Sequence, residues 1–257
     1  MKLKALFLIC TFALIGYGCK DVIADSSTKD VATEKVTTRA SLGERTFVFP
    51  SIQWESFDTH EQKLAACQIP DSPLNKISTT ELVEICMEYP LLFDAFAFDT
   101  PLKGLKVVAS RFNGFQELMK RKDYCLRIFN YLMDKDIRSI DFTGLSLEEE
   151  GRIVLNHMLC EYLLSFDDIL TNATNEIKNE IAQYAYNVME NKENRKLHFA
   201  LGDLSSTTYL CVKALNGNPV QTRTAHSESD DFLDTGMFQD REQYQEMKRY
   251  CQTLVQY

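Results

Sequence analysis

Residues 78–90 read STTELVEICMEYP, and the reading of this segment decides the fold. Ser78 and Glu81 have capping-box spacing, in which each side chain reaches the other's backbone N–H at a helix start. Leu82, Val83, Ile85, Cys86 and Tyr89 then recur at helical rather than alternating intervals, and Pro90 closes the element. The same grammar extends in both directions. Upstream, ESFDTHEQKLAAC carries Phe57, Leu64 and Ala65 before QIPDSPLNK interrupts it with two prolines. Downstream come LLFDAFAF and then PLKGLKVVASRF, in which Pro101 suits a first helical turn. Asn113-Gly114 reads as a turn or helix stop, and FQELMKR resumes the helix. Asp123 is the expected cap for YCLRIFNYLMDK, whose buried face is read as Leu126, Phe129, Leu132 and Met133.

Ser146 and Glu149 form a second capping box ahead of LEEEGRIVLNHMLCEYLLSF. Thr171 or Asn172 is the expected cap for ATNEIKNEIAQYAYNVMEN, with Ile177, Ile181, Tyr184, Ala185 and Val188 on one face. SSTTYLCVKALNG fits helix and strand equally, and QDREQYQEMKRYCQTLVQY is a final amphipathic helix. Only TFVFPSIQW suggests anything else, either a strand fragment or an extended arm on the body. The expectation is an all-α, irregular multi-helix domain after a short extended arm. A bundle or an α-solenoid of the armadillo or HEAT kind would accommodate it, although no fixed repeat period is present.

The N-terminus has a different character. MKLKALFLICTFALIGYGCK begins with two lysines and continues apolar from Ala5 to Tyr17, short of the roughly 20 residues that span a bilayer. This is the pattern of a removable export signal. The cut is expected before Cys19, and the stretch resembles a bacterial lipobox, with Gly16 where an aliphatic residue is usual. That resemblance makes Cys19 the lipid attachment point. The segment after it, KDVIADSSTKDVATEKVTTRA, has too little apolar content to order itself. The organisation expected is a signal peptide over 1–18, a flexible tether over 19–40 and one helical domain over 41–257, held at the cell envelope.

Composition narrows function further. The formal charge is −9 and becomes −11 once Lys2 and Lys4 leave with the signal. A chain this acidic is a poor partner for nucleic acid, where affinity comes from Lys and Arg on phosphates. Beyond Cys10 and Cys19 the cysteines are Cys67, Cys86, Cys125, Cys160, Cys211 and Cys251. Their apolar helical settings make most of them small buried hydrophobes. Export permits disulfides, and Cys67 with Cys86, at the end of one helix and inside the next, is the pair expected to bridge.

One block is distinctive: EQKLAACQIP, then STTELVEICMEYP, then FNGFQELMKRKD. It resembles a group of uncharacterised helical lipoproteins of Bacteroidota-type Gram-negative bacteria. The matching residues are Cys67, Ile69, Pro70, Cys86, Tyr89, Pro90, Phe112, Asn113, Gly114, Glu117, Leu118, Arg121 and Asp123. The resemblance covers roughly residues 54–135 and implies an exported helical protein with no activity attached. Physically the same residues read as breakers, caps and packing.

Candidate chemistry is sparse. Asp234-Thr235-Gly236 is the triplet of an aspartic protease, but it occurs once and follows HSESDD rather than an apolar strand. Glu228, Asp230, Asp231 and Asp234 lack EF-hand alternation, so the region reads as a solvated acidic loop. His157 and Glu161 share a helix face four residues apart. No second pair accompanies them, so they read as a surface or half-buried pair and no metal is expected. His60, His198 and His226 stand alone. No G-x-S-x-G, P-loop or dinucleotide fingerprint occurs, and no cofactor is expected. The leading expectation is a membrane-anchored, non-enzymatic binding module for an unknown protein or envelope partner. The alternatives are an exported hydrolase of glycan or peptide with paired carboxylates, or a glycan-binding accessory protein presenting a row of exposed tyrosines beside the lone Trp54.

Overall fold

Caps and breakers place the helices. The computed structural model describes residues 45–49, 54–195, 198–215 and 227–255. The expected signal peptide (1–18), Cys19 and the expected tether lie outside them, as does His226. Among the described residues every regular element is helical. A 3-10 turn at Trp54–Ser56 leads into α1 (His60–Ala66), α2 (Asp71–Leu74) and α3 (Thr79–Met87). A 3-10 helix, Leu92–Ala97, precedes α4 (Pro101–Arg111), α5 (Asn113–Leu118) and α6 (Tyr124–Asp134). After a third 3-10 turn, Ile137–Ser139, come α7 (Leu147–Leu164), α8 (Asp167–Leu170), α9 (Asn175–Asn194), α10 (Leu201–Leu215), α11 (Ser227–Thr235) and α12 (Arg241–Val255). No described helix is long and apolar enough to cross a membrane.

α7 is the spine. It packs on α4 and α6 on one side and on α10 on the other, and α10 in turn contacts α9 and α12. Its start is the full capping box read from Ser146 and Glu149. At α3 only half of the box forms. Ser78 Oγ accepts from the Glu81 N–H at 3.2 Å, while the Glu81 carboxylate accepts from Thr46 N and Thr46 Oγ1 instead. Arg45 adds ion pairs to Glu84 and Glu88 at 3.3 and 2.6 Å, and Phe49 packs against Tyr89 and Phe112. Residues 45–49 therefore form an arm fastened along α3, not a strand.

Several local expectations are corrected. The break before α5 falls at Phe112, whose extended backbone caps both neighbouring helices, so Asn113-Gly114 opens α5. The Asn113 amide clamps the chain after α1, accepting from Ile69 N at 3.0 Å and donating to Ile69 O at 2.7 Å. The cap of α9 is Thr174, because Thr171 and Asn172 complete α8 and Asn172 donates to Tyr124 Oη and Asp168 O. Asp123 makes no side-chain cap; its carboxylate binds Arg127 at 2.8 Å and Thr79 at 2.9 Å. Leu126 and Met133 stand 37 % and 41 % exposed, because α6 is rolled so that Cys125, Ile128 and Phe129 face inward.

SSTTYLCVKALNG was open between helix and strand, and the reason is that α10 has almost no polar face. Leu204 through Val212 are all buried. A central helix packed on α7, α8, α9 and α12 needs no polar stripe. Two of its hydroxyls are satisfied inside the helix: Thr208 Oγ1 donates to Leu204 O at 2.8 Å and Ser205 Oγ to Leu201 O at 3.0 Å.

Candidate functional site

Among the described residues, two places that gather polar side chains stand out. The first is a cavity of about 290 Å³ where α1, the 3-10 helix and α4 meet. Gly104 makes that junction. A Cβ there would lie 1.9 Å from the Ala95 carbonyl oxygen, so only glycine lets α4 approach the 3-10 helix this closely. Over its next two turns α4 brings Val107, Val108 and Arg111 to the cavity, which Leu64 of α1 and Leu91 also line. His60 and Asp94 face each other across it at 3.7 Å. Burial raises the Asp94 carboxyl above its ordinary value, and His60, Lys63 and Arg111 pull it partly back.

Tyr89 completes the wall. Its ring is stacked on Phe112 with centroids 4.1 Å apart. The residue is only 3 % exposed, yet its hydroxyl has no hydrogen-bond partner among the described residues. Burial, then Cys67 and Asp94, push the phenol up, so it stays protonated and remains a donor. A buried hydroxyl without a partner costs roughly 1–3 kcal/mol. Of the distinctive sequence block, Tyr89 lines the cavity and Phe112 backs its ring. Asp94 and Arg111 carried no signal in the sequence; His60 had looked solitary.

The second place is buried among α7, α9 and α10. His157 and Glu161 are fully buried rather than at the surface. Lys192 Nζ lies 3.0 Å from Glu161 Oε2 and also donates to Asp203 O and Thr207 Oγ1, at 3.1 and 2.7 Å. Ser206 Oγ and Thr207 Oγ1 donate to the two Glu161 oxygens at 2.5 and 2.6 Å. His157 Nδ1 sits 3.4 Å from Glu161 Oε1 but is not aligned as a hydrogen bond. Three donors converge on one carboxylate, which is how a buried charge is tolerated.

This cluster sets a pH dependence. Burial would raise the Glu161 carboxyl, but Lys192, His157 and Ser206 outweigh it and hold it down at about 2. Its stabilisation is complete above the ordinary value of 4.5 and is lost as pH falls toward 2, in total about 3 kcal/mol. Burial lowers the His157 pKa below its ordinary 6.5. The unfolded chain therefore takes up that proton first, and stability already falls as pH drops below 6.5. Urea midpoints should decline from pH 7.5 to 5 and again from 4.5 to 3, and H157Q should flatten the upper limb. A midpoint that rises on acidification from 7 to 5 would contradict the assignment.

The remaining sequence candidates resolve into structure. Asp234-Thr235-Gly236 lies at the end of helix α11, in what read as a loop. Gly236 takes φ +70° and its carbonyl accepts from the Tyr162 hydroxyl at 2.8 Å, so the triplet is a helix stop fastened to α7. His198 pairs with Glu150 at 2.7 Å and stacks on Phe142. Cys67 and Cys86 are separate buried thiols rather than a bridge, each filling its own core site, and the other four described cysteines are free as well. The thiols that touch are Cys211 and Cys251, across α10 and α12. Among the described residues no three His, Cys, Asp or Glu side chains are grouped to hold a metal.

The chain is thus an all-α, multi-helix protein. Comparison with protein-family models, curated proteins and solved structures finds no match.

Proposed function

We propose that this is an exported lipoprotein, anchored to the cell envelope through Cys19, whose helical domain is a non-enzymatic binding module that uses the Tyr89 cavity as its site. The observation that carries the reading is the character of that cavity. It is mostly apolar, with a few convergent polar groups, as in small-molecule sites. Asp94 is the one carboxylate among its lining residues, whereas glycan hydrolysis uses two carboxyls a few ångströms apart. A glycan platform is less favoured, since no described tyrosine is exposed. The lipobox-like start and the polar segment behind it support the anchor, and the acidic chain argues against nucleic acid.

Mass spectrometry of the chain recovered from envelope membranes tests both halves. The denatured mass should correspond to an acylated chain beginning at Cys19. Under native conditions an additional small mass should be retained, and V107W, which fills the cavity, should release it. An unacylated start elsewhere removes the anchor. Turnover of a glycan or peptide abolished by D94N replaces the binding module with a hydrolase.

A further inference from the structure

The cavity beside Tyr89 leaves two donors unused. One is the Tyr89 hydroxyl, buried without a hydrogen-bond partner among the described residues. The other is the Arg111 guanidinium, which lines the same cavity and has no ion pair or hydrogen bond among the described residues. Charge in and around the site is unbalanced in one direction. His60 faces Asp94 at 3.7 Å, and Lys63 and Arg111 both act on that carboxyl, so one anion stands among three basic groups. A cationic ligand would meet Arg111 unmatched; an anionic one would satisfy both idle donors. The rest of the wall, Leu64, Leu91, Val107 and Val108 among it, is apolar and calls for a hydrocarbon body. At roughly 30 Å³ for each water-sized group, 290 Å³ holds a body of about ten non-hydrogen atoms.

We propose that the cavity binds a short amphipathic monocarboxylate, its carboxylate on the Tyr89 hydroxyl and Arg111 and its apolar body between α1 and α4. This rests on the binding reading above and names its ligand class. An aliphatic acid and an aromatic acid share that chemistry, so both serve as probes.

The test is calorimetric titration of the full chain with octanoate, 3-phenylpropionate, octylamine and 1-octanol. At least one acid should bind about tenfold or more tighter than the amine and the alcohol. Y89F keeps the ring on Phe112, so the fold persists. It should weaken the acid about tenfold, because a hydrogen bond to a charged group is lost. The same substitution should raise the Tm of the ligand-free chain by about 2–4 °C, because a stranded hydroxyl is removed. A merely structural hydroxyl would not give these opposite signs. R111Q should weaken the acid similarly with Tm unchanged. Equal or tighter binding of octylamine or octanol overturns the acid assignment and leaves the cavity a binding site. Failure of all four probes, with no retained mass in the native spectrum, overturns both. Unchanged acid affinity in Y89F or R111Q also overturns the assignment.

Discussion

Glu161→Leu should destabilise the domain by about 4 kcal/mol, a large share of the 5–15 kcal/mol typical of a folded domain. The substitution leaves the Lys192 ammonium buried without its counter-charge. Lys192 is 1 % exposed and sits at the meeting of three helices, so it cannot reach water without opening them. Ser206 and Thr207 lose their best acceptor as well, though each retains a longer bond to Asp203 O, at 3.2 and 3.3 Å. Lys192→Met added to Glu161→Leu should recover most of the loss, since an apolar pair of similar volume often replaces a buried ion pair at little cost. Urea unfolding of the two single variants and the double variant gives the coupling. Additive losses would mean that the two charges do not depend on each other.

Gly104→Ala should cost about 3 kcal/mol or more, against the usual gain of about 1 kcal/mol for alanine in a helix. The new Cβ would stand 1.9, 2.6 and 2.7 Å from the O, C and Cα atoms of Ala95. Those are backbone atoms of the 3-10 helix, so no rotamer change relieves the overlap and α4 must move away. The same shift opens the cavity wall that carries Asp94. Gly151→Ala in α7 is the matched control: nothing lies within 4 Å of its Cβ, and it should stabilise by about 0.5–1 kcal/mol. Denaturant midpoints of the two variants should move in opposite directions. Movement in the same direction would show that α4 has room to spare.

Local signals were legible where the structure uses local chemistry. The Ser146 box, Pro101 in the first turn of α4 and the apolar spacing of α3 all follow from neighbours a turn apart. What the sequence hid was set by distant partners. Glu81 has capping-box spacing, but Thr46 takes its carboxylate. Thr171, Asn172 and Thr174 are chemically equivalent caps, and α8 decides among them. The spacing of His157 and Glu161 was visible, but their depth was not, because Lys192, Ser206 and Thr207 arrive from α9 and α10. The cavity left even less trace. Tyr89, Asp94 and Arg111 come from different elements, and the residue that joins them, Gly104, looks like an ordinary weak point in a helix.

The buried cluster has one more consequence. Lys192 stands on α9, Glu161 on α7, and Ser206 and Thr207 on α10. Withdrawing any one of these helices strands a charge or its donors in an apolar interior. No half-opened form with two helices docked and one loose is a comfortable resting place. The three are bound to a shared fate: they come apart together or stay shut, and the knot that ties them is ionic where most of the surrounding core is greasy.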